Sequence, residues 1–494
     1  MRQRLAPGLF LLSLPFIAII GIAGIVAPQW LEAGAQAFTG AWFSTFDWFT
    51  MLLSTGTVIL SLLLAFSRYG KIVLGKVGEK PEFTTVSWLS MLFAAGMGTG
   101  ILFWGVAEPM THYLGAPGLE AETTSGAHYA LVLTALHWGL HAWSIYAIAG
   151  LVLAYFCFRH NRPYLPGEPI RAGFKGFWVE PVSKATDFLA IIAIVFGVAG
   201  SLTMGTLQIQ SGLSLLFGLD AESNIVTSAI LLALVVAYMT SAATSLDKGI
   251  KWLSNINIAI CVGLALFLLC TGPSLYLLKT FFVSMGEYLR ELPRLSTQLS
   301  PKTQGGTWFH SWTITYFLWW IAWAPFVGVF IARISRGRTI REFILGVIFV
   351  PTVFSLLWFA ILGGAGLYSE MTGQSGLSNI VKRDLTLALF TLFEAFPMSN
   401  VLSFTAILLV FVFLVTSVDS ATFVLGMLTS KGSTNPPVRK KLAWGITLGV
   451  LGGALTLSRN VSVVKSIAIL GAIPFSVFLL LQIIGFLRVL IREE

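Results

Sequence analysis

The stretch Ala95-Gly96-Met97-Gly98-Thr99-Gly100 interrupts an apolar run at residues 86–106. Each of its three glycines weakens a helix by roughly 1 kcal/mol relative to alanine. Glycines also free backbone carbonyls and let another group approach the chain closely. A second apolar run, residues 308–332, carries Ala324-Pro325 and then Gly328, helix breakers again. Outward from these two, further runs are long enough to cross about 30 Å of hydrocarbon. Twelve are expected, at approximately 8–27, 46–66, 86–106, 127–157, 186–210, 223–240, 252–272, 308–332, 343–367, 400–429, 440–458 and 465–488. The interrupted runs head two groups of five, spans 3–7 and 8–12. Broken helices at matching positions of two halves point to a transporter site near the bilayer midplane.

Of 494 residues, 56% are hydrophobic and 11% charged, the composition of an all-α polytopic membrane protein without a soluble domain. Residues 1–85 are expected to hold two peripheral membrane helices and 86–272 the first group of five. Residues 273–307 form an external linker, and 308–494 the second group with a short cytoplasmic C-terminus. Within the linker, Thr280 to Arg290 spaces apolar and polar residues as an amphipathic helix on the membrane surface. The first run is too long for the apolar region of a leader, and Ala27-Pro28 is a poor cleavage point, so it reads as a helix.

The formal charge of +9 follows topology. Lys and Arg cluster after spans two, four, six, eight and ten, and the loops after spans one, three and five have none. The positive-inside rule then places both termini in the cytoplasm. The basic residues are spent on orientation beside membrane lipid, not on a nucleic acid. Cys157, Cys261 and Cys270 show neither metal spacing nor a disulfide framework.

Three constellations carry chemistry. In span eight, Trp319, Trp320 and Trp323 lie away from the headgroup level where tryptophan normally collects. Indole faces attract a cation that has no hydrogen to donate. In span four, Trp138, Trp143 and Tyr146 fit one broad face at 100° per residue. With Trp320 they suit a cage around a methylated cation; the blander alternative is ordinary packing of membrane-core aromatics. In span ten, Thr416 and Ser417 offer hydroxyls to a small cation, span three offers carbonyls at Ala94 and Met97, and the alternative is bonding back to their own helix. Asp419, an acid near the middle of a span, is a functional candidate by default. His137 and His141 share a face, but no further ligand or acid accompanies them in sequence, so a metal site is not expected. Arg333, Arg336, Arg338 and Arg341 fix topology or tie a cytoplasmic gate through ion pairs.

With these residues in hand, the chain resembles the betaine/carnitine/choline transporter (BCCT) family. Four segments carry the likeness: Gly96 to Gly100 followed by Phe103 to Pro109; His137 to Tyr146; Trp319 to Phe326 running into Ala332 to Arg338; and Thr416 to Ser420. The resemblance implies a LeuT-like inverted five-helix repeat and a homotrimer in the bacterial cytoplasmic (inner) membrane. It implies a substrate box of Trp138, Trp143, Tyr146 and Trp320, with Trp319 beside it and Met97, Gly98 and Thr99 facing it. Trp323 and Phe326 would line the inward path, with Asp419 also on the pathway. Sodium would meet the carbonyls of Ala94, Met97 and Phe413 and the hydroxyls of Thr416 and Ser417. No cofactor beyond this coupling ion is implied.

Departures refine the expectation. Betaine-type members usually have an aliphatic residue where this chain has Thr99, and choline-type members often have an acid nearby; Thr99 lacks that charge, which favours a zwitterion. Ile194-Val195-Phe196-Gly197-Val198 lacks the hydroxyls of a second sodium site in span five. Ser254-Asn255-Ile256-Asn257 lacks the span-seven arginine of sodium-independent exchangers. The expected function is therefore sodium-coupled import of a betaine-like quaternary ammonium or sulfonium solute, glycine betaine first. The alternatives are sodium-independent exchange of carnitine- or betaine-type substrates, or choline uptake. A receptor would need an output domain, a channel a continuous polar pore, and an enzyme an acid–base or metal set.

Overall fold

The computed structural model describes residues 8–76, 78–96, 98–118, 123–244, 247–299, 306–457 and 459–493. Every regular element among them is helical apart from one isolated bridge. Helix α1 (Gly8–Val26) turns a largely apolar surface outward, with Leu11, Leu12, Ile19 and Ile22 exposed as lipid-facing side chains require. Helix α2 (Pro28–Phe66) begins well before the expected residue 46. Pro28 sits at its N-terminus, where a missing N–H costs nothing, and a kink at Phe46 separates this added segment from the span.

The third span is divided, as the glycines require, into α3 (Thr85–Gly96) and α4 (Thr99–Gly115). The fourth is also divided, which the sequence reading did not anticipate. Helix α5 (Thr124–Trp138) stops at Gly139, whose φ of −97° and ψ of −133° are not helical, and α6 (Leu140–Arg159) restarts immediately. A short α7 (Glu168–Gly173) precedes the 39-residue α8 (Val179–Phe217) and α9 (Asn224–Thr244). Helix α10 (Asp247–Thr271) meets α11 (Ser274–Leu295) at a bend of 115° beside Pro273.

Helix α11 is amphipathic as expected, but it does not merely rest on a surface. Its inner face, with Leu277, Thr280, Ser284 and Tyr288, is buried against α5 and against α14 (Ile340–Met371). Helix α12 (Gly306–Phe309) leads through a π-turn at His310–Ile314 into α13 (Thr315–Ile334). The eighth span is not broken at Ala324-Pro325: α13 runs through Pro325. Gly328 is a crossing contact instead. A Cβ there would stand 3.2 Å from Gly150 N, so glycine lets α13 and α6 approach backbone to backbone.

Helix α14 starts on a capping box in which Thr339 and Glu342 satisfy each other's backbone N–H groups. Short helices α15 (Leu377–Arg383) and α16 (Ala388–Glu394) precede α17 (Ser399–Leu428) and α18 (Val438–Thr456). The last span is split into α19 (Val461–Ile469) and α20 (Ala472–Glu493). Among the described residues nine helical stretches are long and apolar enough to cross a membrane by themselves. The third expected span falls outside that count because its two halves are each short. The eleventh, α18, is glycine-rich and opens on Arg439, Lys440 and Lys441.

Helices α13 and α6 pack along each other, as do α17 and α8, and α14 closes on α4 and α6. One end of this core is tied by the loop after α13. Arg338 donates to the Phe83 carbonyl at 2.7 Å and Thr85 Oγ1 at 3.1 Å, and its guanidinium lies 4.6 Å from the centre of the Trp88 ring. Arg341 donates to the Ala65 carbonyl at 2.8 Å, and Arg336 pairs with Glu79 at 2.6 Å. Backbone bonds between Ile72 and Ile340 and between Leu74 and both Gly337 and Arg338 complete this arginine strap. It ties the segment before α3 to the end of α13, mostly through carbonyls and a ring rather than the expected ion pairs.

Candidate functional site

A partly open cavity, with about 540 Å³ of empty space counting the solvent at its mouth, lies where the breaks of the third and fourth spans meet α13. Gly98, Thr99 and Gly100 form one wall, at the N-terminus of α4. The first N–H groups of a helix lack partners within it, and they favour negative charge. Trp138, Tyr146, Trp320, Trp319 and Trp323 line the cavity, with Trp104, Tyr316, Ser201 and Met204. Trp320 stands 5.2 Å from Trp138 at 89° and 5.1 Å from Tyr146 at 73°, centre to centre. Trp320 thus meets both Trp138 and Tyr146 edge to face, and all three aromatic side chains line the cavity, the residue type that suits a methylated cation.

Trp143 is placed differently from expectation. It does not line the cavity; it backs Tyr146 at 5.8 Å and Trp320 at 6.2 Å. The break at Gly139 is the reason. Trp138 ends α5 while Trp143 and Tyr146 ride on α6, so a continuous 100° step does not relate them. Gly100 has a specific role here. A Cβ at this position would approach Trp138 Cη2 to 2.8 Å and drive the ring out of place.

The rings are held by one buried acid that sequence reasoning missed. Glu108 is fully buried in α4. Its Oε2 accepts from Trp138 Nε1 at 2.8 Å and from the Tyr316 hydroxyl. Its Oε1 meets His137 Nδ1 at 2.7 Å and His112 Nε2 at 3.3 Å. A neutral His137 that donates to Glu108 from Nδ1 accepts at Nε2, where the Thr313 hydroxyl lies 3.0 Å away. The same histidine's carbonyl takes the Trp320 Nε1 proton at 2.8 Å. Two walls of the cage, Trp138 and Trp320, are thus oriented through Glu108 and its partner His137. A buried acid in an apolar span is the signal that singled out Asp419, and Glu108 carried it equally.

The histidine pair of the sequence does not act together. His141 stacks on Phe317 at 5.0 Å and meets Thr55 at 3.4 Å. His137 instead gathers Glu108 and His112, all offering atoms within 4.8 Å of one another, so the acid judged absent in sequence comes from another helix. Each offers its proximal atom to a neighbour already.

Around the expected sodium ligands, Thr416 Oγ1 donates to the carbonyls of Val412 at 3.0 Å and Phe413 at 3.2 Å. Its hydroxyl bonds back to its own helix, yet its oxygen keeps lone pairs. Ser417 Oγ lies 3.9 Å from where a Cβ on Gly98 would stand, which brings α17 to the break in the third span. Phe413 is buried. Ala94 belongs to the last turn of α3, and Met97 lies outside the described residues. Asp419 accepts from Ser241 at 3.2 Å. Trp323 stacks obliquely on Phe326 at 5.5 Å, toward the arginine strap.

Known proteins resemble this chain along most of its length. The glycine betaine transporter OpuD of Bacillus subtilis is 41% identical over 95% of this chain and 92% of its own. An ectoine/hydroxyectoine transporter of Virgibacillus pantothenticus is 38% identical over 100% of this chain and 98% of its own. A Na+-coupled sialic acid symporter, solved in a substrate-bound outward-open state, has a TM-score of 0.50 at 12% identity and covers 85% of this chain and 82% of its own. At that identity the likeness speaks for the fold alone. Residues 8–494 match the family described as BCCT, betaine/carnitine/choline family transporter, and the chain belongs to it, a membrane transporter and not an enzyme.

Proposed function

We propose that the chain imports a methylated onium zwitterion, glycine betaine first, coupled to inward sodium flow. The observation that carries the reading is the meeting of two kinds of wall in one cavity. Trp138, Tyr146 and Trp320 supply aromatic rings for a positive end, and Gly98 to Gly100 at the N-terminus of α4, where a helix leaves N–H groups without partners of its own, suit a negative end. A zwitterion spanning the cavity satisfies both. The sodium ion is assigned to the carbonyls of Ala94, Met97 and Phe413 and the hydroxyls of Thr416 and Ser417. The nearness of Ser417 to Gly98 supports this assignment, because one broken span then serves both ligands. Each ligand should raise the affinity of the other by the same factor. The setting is a bacterial cytoplasmic membrane with both termini inside, and the assembly a homotrimer.

Uptake of labelled betaine into proteoliposomes, with and without a sodium gradient, tests the reading. Uptake should need inward sodium and should be displaced by other methylated onium compounds. Trp320→Leu should weaken betaine binding about 30-fold, since a desolvated cation–π contact is worth about 2 kcal/mol. Counterflow without sodium at full rate would move the chain to the sodium-independent exchangers, and unchanged affinity in Trp320→Leu would remove the cage.

A further inference from the structure

Next to the substrate cavity lies a second aromatic cage that already contains a cation. Lys465, on α19, is buried. Its Nζ lies 3.9 Å from the centre of the Trp312 ring, 5.0 Å from Trp104 and 5.6 Å from Tyr316. None of the ion pairs among the described residues includes Lys465. Trp104 and Tyr316 also line the substrate cavity, so the two cages share walls. The sharing follows from the π-turn at His310–Ile314. It sets Trp312 parallel to Tyr316, at 12° and 5.9 Å, with one ring turned to the ammonium and the other reaching the cavity.

We infer that Lys465 is a specificity-determining residue that makes the site prefer a zwitterion over a bare cation; this rests on reading the cavity as an onium site. Two formal charges stand in the walls around Tyr316, the Glu108 carboxylate and the Lys465 ammonium. Together they sum to zero, which suits a solute whose own charges sum to zero. Without the ammonium, the Glu108 charge behind Trp138 and Tyr316 would stand uncompensated beside the cavity and favour any methylated cation. In a buried site a unit charge acts over the width of a shared ring with little screening, and an effect of about tenfold on affinity is the expected order.

The experiment compares glycine betaine and choline as competitors in proteoliposomes carrying the full chain, as wild type, Lys465→Met and Lys465→Arg. In Lys465→Met, choline affinity should rise relative to betaine about tenfold, and Lys465→Arg should keep the wild-type ratio. A ratio unchanged in Lys465→Met, or both affinities falling together as a purely structural role predicts, overturns the inference. Should Lys465→Met fail to reach the membrane, Lys465→Gln reads the same ratio with a neutral side chain. If wild type binds neither competitor, the onium reading itself fails, an outcome distinct from an unmoved ratio.

Discussion

Along α13 the aromatic cavity is flanked by different chemistry at its two ends. Toward Trp312 and Tyr316, the chain buries a carboxylate, two imidazoles and an ammonium among rings, and four side chains converge on Glu108 alone. Toward Ile334, arginines reach across to backbone carbonyls, with Arg338 itself buried. Glu79 and Arg336 there are partly exposed. A desolvated, hydrogen-bonded network is rigid and costly to disturb. A strap of separate hydrogen bonds and one partly exposed ion pair is made of smaller terms that open and reclose at lower cost. The first end suits a fixed recognition surface and the second a gate.

The largest expected effect comes from breaking the rigid end. Glu108→Gln keeps the shape but turns an NH2 toward donors that now lack an acceptor. A buried donor left unsatisfied costs about 1–3 kcal/mol, and several are involved here. Betaine binding should fall at least 100-fold, and the purified protein should unfold at lower temperature. Retained binding would show that the rings orient themselves. An intermediate effect is expected at the strap. Arg338→Ala removes two hydrogen bonds and the stack on Trp88, together about 2 kcal/mol. Betaine affinity should hardly change, while single cysteines placed near Trp323 should label faster from the strap side. Labelling at the wild-type rate would deny the strap a gating role.

The smallest effect concerns Glu79. Its carboxyl is held below the ordinary carboxylate value, first by the Lys76 N–H and then by the Arg336 guanidinium. An acid whose pKa is depressed in the folded state adds stability above its unfolded pKa, and that contribution is lost as pH falls through the folded value. Glu79→Gln should therefore lower the thermal midpoint slightly at pH 7, and the difference from wild type should vanish as pH falls below the ordinary carboxylate range. A difference that persists in acid would mean the side chain acts through packing.

The two ends were not equally legible in the amino-acid order. Glycine punctuation marked the division between α3 and α4, and basic loops marked the strap, because both act locally along the chain. The ring walls were found by composition, since tryptophan in mid-span has few other reasons to be there. What escaped was non-local. Gly139 is a lone glycine whose break depends on support from a distant helix, and Trp143 was misplaced with it. Glu108, Tyr316 and Lys465 meet only because α4, α13 and α19 converge, and no spacing in one segment encodes that. Pro325 and Gly328 read as a break and turned out to be a proline the helix tolerates and a tight crossing.

The gap at Gly139 has a mechanical side. Leu140 N–H, at the restart of α6, donates to the Tyr288 hydroxyl at 3.0 Å, and a Cβ on Gly139 would collide with that same hydroxyl. Tyr288 belongs to α11, so the amphipathic helix supplies a fulcrum for α6. At 1.5 Å per residue, Tyr146 lies about 10 Å from that pivot and Arg159 about 30 Å. A rocking of about 5° displaces the aromatic wall by about 1 Å and the far end by about 2.6 Å. A lever of these proportions converts a barely measurable shift at the cage into a displacement wide enough to break hydrogen bonds where Arg159 reaches the loop before α3.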